Sequence, residues 1–144
     1  MTTVERTLFI NVPWEQVDAV ALDPLRLPEW FAGVEQAEPD GVYPQPGGSV
    51  KLTYQVAGVK FAVTMTTLEL VPGQYVTYRL EGMIKGISTW SHRPEGGGTW
   101  LTASFDYEVP GGGVGQVLDK LLIERMNADN LEKSLANLKA LVEG

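Results

Sequence analysis

The chain has 144 residues and a mass of 15.7 kDa, with 44% hydrophobic and 20% charged residues, the composition of one folded domain large enough to bury a core. It contains no Cys and a single His, which excludes disulfides, thiolate metal sites and multi-histidine zinc sites, and no cofactor is expected. Acidic residues outnumber basic ones 18 to 11, and a net charge of -7 disfavours nucleic acid and anionic membrane surfaces as partners.

Residues 3–10 (TVERTLFI) predict a strand with Leu8 and Ile10 on one side. Pro13 suits the first position of a helix, because its missing N–H is unpaired there anyway. The segment 13–22 carries Trp14, Val17, Val20 and Ala21 at helical spacing. Asp23-Pro24 repeats the start signal and predicts a second short helix, roughly 24–31, ending near Gly33.

A long β stretch follows. Folding about Ala57-Gly58 sets Val56 opposite Val59, Tyr54 opposite Phe61, Leu52 opposite Val63 and Val50 opposite Met65. That face is wholly apolar, and a slip of one residue would destroy the match, because strand side chains alternate with period two. Leu68 and Leu70 stand in the opposite phase to Met65, so a bulge is expected near Thr66-Thr67. Pro72-Gly73 turns the chain, and Val76, Tyr78 and Leu80 form the next inward set. Gly82 marks another turn. With Pro94–Gly98 as the last loop, His92 lies opposite Thr99, Trp90 opposite Leu101, Ser88 opposite Ala103 and Gly86 opposite Phe105. Trp100, Thr102, Ser104, Asp106 and Glu108 look outward. The sheet is thus a meander of about six or seven antiparallel strands.

A helix is predicted over about 114–142. Ala128, Leu131, Leu135, Leu138 and Val142 form a core-facing stripe in its second half. The first half is apolar more broadly, so a bend near Asn127, a cavity or a partner chain is expected there. No apolar run approaches the ~18 residues of a membrane span, so no stable membrane insertion is expected. The opening MTTVERTLFINV lacks a basic stretch followed by an apolar one, and a cytoplasmic location is expected.

Three segments resemble a known family. They are INVPWEQVDAVALDPLRLPEWF (10–31), ELVPGQYVTYRLEG (69–82) and the stretch from GGGTWLTASFDYEVP to the end (96–144). Together they cover nearly the whole chain. The chain is similar to the START-like (SRPBCC) superfamily, in its polyketide cyclase/dehydrase and lipid-transport branch. That resemblance implies an α+β helix-grip fold in a single START-like domain over 1–144: a curved antiparallel sheet wrapped around a long C-terminal helix, with two short helices after the first strand. It also implies a cavity between sheet and helix for a lipid, quinone or polyketide-like molecule. No catalytic residue is shared across such proteins, so none is carried over.

Within that layout the ligand-facing set is Leu52, Tyr54, Phe61, Val63, Met65, Val76, Tyr78, Ser88, Trp90, Leu101 and Phe105, with Leu121 and Arg125 from the last helix and Trp30 near the entrance. Ordinary core packing accounts for the same apolar residues. The two tyrosine hydroxyls, the indole and Ser88 favour a cavity, because an unpaired buried polar group costs about 1–3 kcal/mol. His92, the residue that titrates nearest neutrality, is the candidate acid/base, although its place at a strand end suits an exposed or structural role. Glu124, the other candidate catalytic group, falls close to the core stripe and would have to reach a cavity or be paired. The run Gly111–Gly115 has no P-loop spacing and reads as a flexible corner. Three functions fit: a carrier of a small hydrophobic ligand, a cyclase/dehydratase using the same cavity, or an interaction module presenting Ile123 and Met126, for instance in a homodimer.

Overall fold

Alternating apolar residues and glycine- or proline-marked turns build most of this molecule. The computed structural model describes residues 2–56, 58–108 and 120–144, without the side chains of Val56 and residues 120–123. β1 (Thr2–Ile10) is followed by α1 (Trp14–Ala21), a 3-10 turn (Pro24–Arg26) and α2 (Leu27–Trp30). Six strands come next: β2 (Val34–Pro39), β3 (Ser49–Val56), β4 (Val59–Val71), β5 (Tyr75–Gly82), β6 (Lys85–Glu95) and β7 (Gly98–Glu108). The chain closes with α3 (Lys120–Glu143). All seven strands form one antiparallel sheet in the order β1-β7-β6-β5-β4-β3-β2.

The β3–β4 register is the expected one, with Tyr54 opposite Phe61, Leu52 opposite Val63 and Val50 opposite Met65. The bulge falls between Thr67 and Glu69, which explains why Leu68 is exposed while Met65 and Leu70 face inward. The β6–β7 register differs from the expectation by two residues: His92 pairs with Leu101, Trp90 with Ala103, Ser88 with Phe105 and Gly86 with Tyr107. Gly96 and Gly97, both at positive φ (58° and 84°), make a two-residue turn, so β6 runs on through Pro94 to Glu95. A slip of two keeps every side chain on its expected face. β2 has no counterpart in the sequence reading. Of its six residues only Val34 is buried, and it ends at Pro39, as an edge strand can.

The second predicted helix divides into the 3-10 turn, started by Asp23 accepting from Leu25 N, and the single turn of α2. α3 is continuous through Asn127 from Lys120 to Glu143. Residues 114–119 and the run Gly111–Gly115 lie outside the described residues. Leu131, Leu135 and Leu138 are buried in the core, with Ala128 and Val142 packed beside them. α3 packs against β1, α1 and α2. Two hydrogen bonds fix α2 and the chain after it to this helix: Ala32 N donates to Ser134 Oγ (2.9 Å), and Asn137 Nδ2 donates to Trp30 O (3.2 Å). Among the described residues no helix is long and apolar enough to cross a membrane.

Candidate functional site

The inward residues of β3 to β7 meet side chains from α1, α2 and α3 and enclose two small cavities. One lies under α1 and α2. Its walls include Val17 and Asp18 of α1, Leu27, Trp30 and Phe31 around α2, and Val76, Tyr78, Trp90, His92 and Leu101 of the sheet. The other lies towards α3 and includes Phe31, Tyr54, Ser88, Phe105, Asn127 and Leu131. Phe31, Met65 and Trp90 belong to both walls. The centre of a water-sized sphere has about 20 Å³ in the first and about 30 Å³ in the second. That is room for a water or two, far below the hundreds of Å³ of a ligand pocket. Both are enclosed mainly by apolar side chains.

The polar groups in these walls are few. His92 leans from β6 towards α1, and its Nε2 stands 2.8 Å from Asp18 Oδ1. The two side chains are 5% and 14% exposed. Neither ring nitrogen makes an aligned hydrogen bond among the described residues, so the contact is a close approach of imidazole to carboxylate rather than a directed bond. The backbone of His92 is held by its N–H donating to Gln74 O (2.7 Å). Beside it Tyr78 stacks on Tyr43, and the Tyr43 hydroxyl donates to that of Tyr78 at 3.5 Å. Burial pushes Tyr43 up to about 12. Tyr78 is raised well above its ordinary value by burial, and the neighbouring Tyr43 and the Asp18 charge add to this. Tyr43 is positioned from its loop by Asp40, whose Oδ1 accepts from Val42 N (2.8 Å) and Tyr43 N (3.0 Å). Those bonds hold the Asp40 carboxyl below the usual range. In the other wall, Trp90 Nε1 donates to Ser88 Oγ (2.9 Å), and burial raises the Tyr54 hydroxyl. Trp30 Nε1 is buried without a hydrogen-bond partner among the described residues.

Most of the expected ligand-facing residues meet here. Trp30, Val76, Tyr78 and Leu101 line the His92 cavity, Tyr54, Ser88 and Phe105 the second, and Met65 and Trp90 both. Others do not. Leu52 and Val63 are buried in the packed core, and Phe61 stacks on Tyr54 instead of lining either space. Trp30 is 3% exposed, so it stands in the inner wall and not at an entrance. Glu124 faces β1, where Thr2 Oγ1 donates to its Oε1 at 2.7 Å. Arg125, one position round the helix, is exposed and lines neither cavity. Leu121 and Ile123 lie outside the described side chains, and Met126 is half-buried. His92 is buried against Asp18 of α1, which removes the exposed alternative and leaves the structural and acid/base ones. The sequence reading missed Asp18, Phe31 and Tyr43. Asp18 follows the buried Val17 on α1, and helical phase alone could have placed it beside the core face. Tyr43 sits in a loop, where no periodicity marks an inward residue.

A model of the family described as polyketide cyclase / dehydrase and lipid transport matches residues 1–143. The chain belongs to this family. No curated protein sequence matches it. Solved structures of like fold include TTHA0849 from Thermus thermophilus, at 23% identity and a TM-score of 0.82 over 98% of this chain and 97% of that one. The ZhuI aromatase/cyclase from Streptomyces sp. R1128 aligns at 20% identity and a TM-score of 0.83 over 99% of this chain and 93% of its own. A START superfamily protein from Mycobacterium smegmatis aligns at 17% identity and a TM-score of 0.76 over 98% and 97%. The family's helix-grip architecture is the one expected from the sequence. At these identities the likeness concerns the fold.

Proposed function

We propose that the chain binds a small hydrophobic molecule, lipid-, quinone- or polyketide-like, between its sheet and α3 and carries it without converting it. The observation that supports this is the set of unsatisfied polar groups in an otherwise apolar enclosure. His92 Nδ1 and Trp30 Nε1 are buried without hydrogen-bond partners among the described residues, and each such group costs about 1–3 kcal/mol. A ligand with a matching polar atom would offset that cost. The spaces have room for only a water or two, so uptake goes with a displacement of their walls. The absence of Cys and the net charge of -7 support a cytoplasmic carrier whose partner is not nucleic acid. Native mass spectrometry tests the reading. A co-purified apolar molecule, or uptake of a neutral apolar compound on incubation, is the expected result. A protein that stays empty through both overturns it.

The His92–Asp18 pair favours a second reading, a cyclase or dehydratase. A buried imidazole beside a carboxylate can take a proton from the carbon α to a carbonyl and return it to a departing hydroxyl, which leaves as water. On this reading His92→Gln lowers turnover by about 10²–10⁴-fold and leaves ligand affinity nearly unchanged. Equal turnover by both proteins would remove His92 from the chemistry.

A further inference from the structure

We infer that the two cavities are halves of one site held apart by the Phe31 side chain, and that its ligand is an elongated, uncharged aromatic molecule with an oxygen at each end. This rests on the ligand-binding reading above and specifies the ligand and the residue that admits it.

Three side chains separate the spaces, and they differ in freedom. Met65 lies mid-strand in β4, paired with Val50 on one side and Leu80 on the other. Trp90 is paired with Val76 and Ala103, and its indole is tied to Ser88. Phe31 follows the single turn of α2, is half-buried, and leads through Ala32 into Gly33 at φ +90°. Ala32 N is bonded to Ser134, so the backbone stays anchored while the Phe31 ring can turn towards solvent. The ring contacts Trp30, Tyr54 and Trp90 at centroid separations of 5.3, 6.1 and 6.1 Å. A flat ligand displacing it inherits those aromatic contacts.

The ends of the joined space call for oxygen. At one end are His92, Asp18 and the unpartnered Trp30 Nε1. At the other are Tyr54, Ser88 and Asn127. Among the described residues no Lys or Arg is in either wall, and Asp18 is. An anionic head would therefore meet the Asp18 carboxylate with no Lys or Arg among the described residues to offset it.

Fluorescence titration and stopped-flow mixing with trans-p,p′-dihydroxystilbene test the inference on wild type, Phe31→Ala and Phe31→Trp, each first shown to unfold cooperatively. Phe31→Ala should speed association about tenfold and Phe31→Trp should slow it about as much. p-Hydroxystilbene, lacking one end oxygen, should bind more weakly than the diphenol, and laurate should not compete. Association rates within twofold across the three proteins, or displacement of the stilbene by laurate, overturn the inference and leave the carrier reading standing. Binding of other neutral apolar compounds but not of the stilbene does the same. Failure to take up any of them overturns both.

Discussion

Tyr43, Tyr54 and Tyr78 show at single-residue scale what the interior demands. Each is raised by burial, Tyr43 to about 12. The fold therefore holds these protons more tightly than the unfolded chain, whose tyrosines ionise near 10.0. The stabilisation is complete below that pH and is lost as pH rises through the folded values. On alkaline titration these three of the five tyrosines should ionise late, together with the change in tryptophan fluorescence that marks unfolding. A single phenolate step near pH 10 with the fold intact would contradict the burial. His92 carries a second lesson at this scale. Its strand position was legible, but its burial depends on Asp18 and the rest of α1, which come from a point 74 residues earlier in the chain. No local pattern encodes that meeting.

Among the elements, what could be read depended on period. The β3–β4 hairpin was legible to the residue because Ala57-Gly58 offers a two-residue turn and a slip of one residue about it would destroy the apolar match. In β6–β7 two registers two residues apart satisfy the same alternation, and the choice fell to the Gly96-Gly97 turn. β2 was invisible because an edge strand with one buried residue has no alternation to detect. On α3, the leucine stripe was legible and Ser134 was not. A fully buried serine among leucines reads as a fault until its bonds are seen: it accepts from Ala32 N and donates to Asn130 O (2.6 Å). Ser134→Ala strands the Ala32 N–H in a partly buried place and should cost about 1–3 kcal/mol by denaturant titration. An unchanged midpoint would mean that water replaces the hydroxyl.

At the scale of the molecule, the sequence led to a concave sheet with more apolar surface than one helix can cover. The fold follows that expectation. The width of the hollow does not, because Leu27, Trp30, Phe31 and Tyr43 come from short helices and a loop and occupy the concave face. Periodicity is silent about such segments. Where sheet and α3 do meet, packing is tight: Leu138 has no exposed surface. Leu138→Ala should cost about 2–5 kcal/mol in the same titration. A loss under 1 kcal/mol would mean that the helix can settle into the gap.

The sheet order has one further consequence. β1 and β2 are successive strands, yet they form opposite borders of the sheet, and residues 11–33 are the strap that joins them. The strap acts like a drawstring: its length, and not any strand, sets how far the two borders can part. Relatives with a longer or shorter strap could therefore hold larger or smaller cargo on an unaltered sheet.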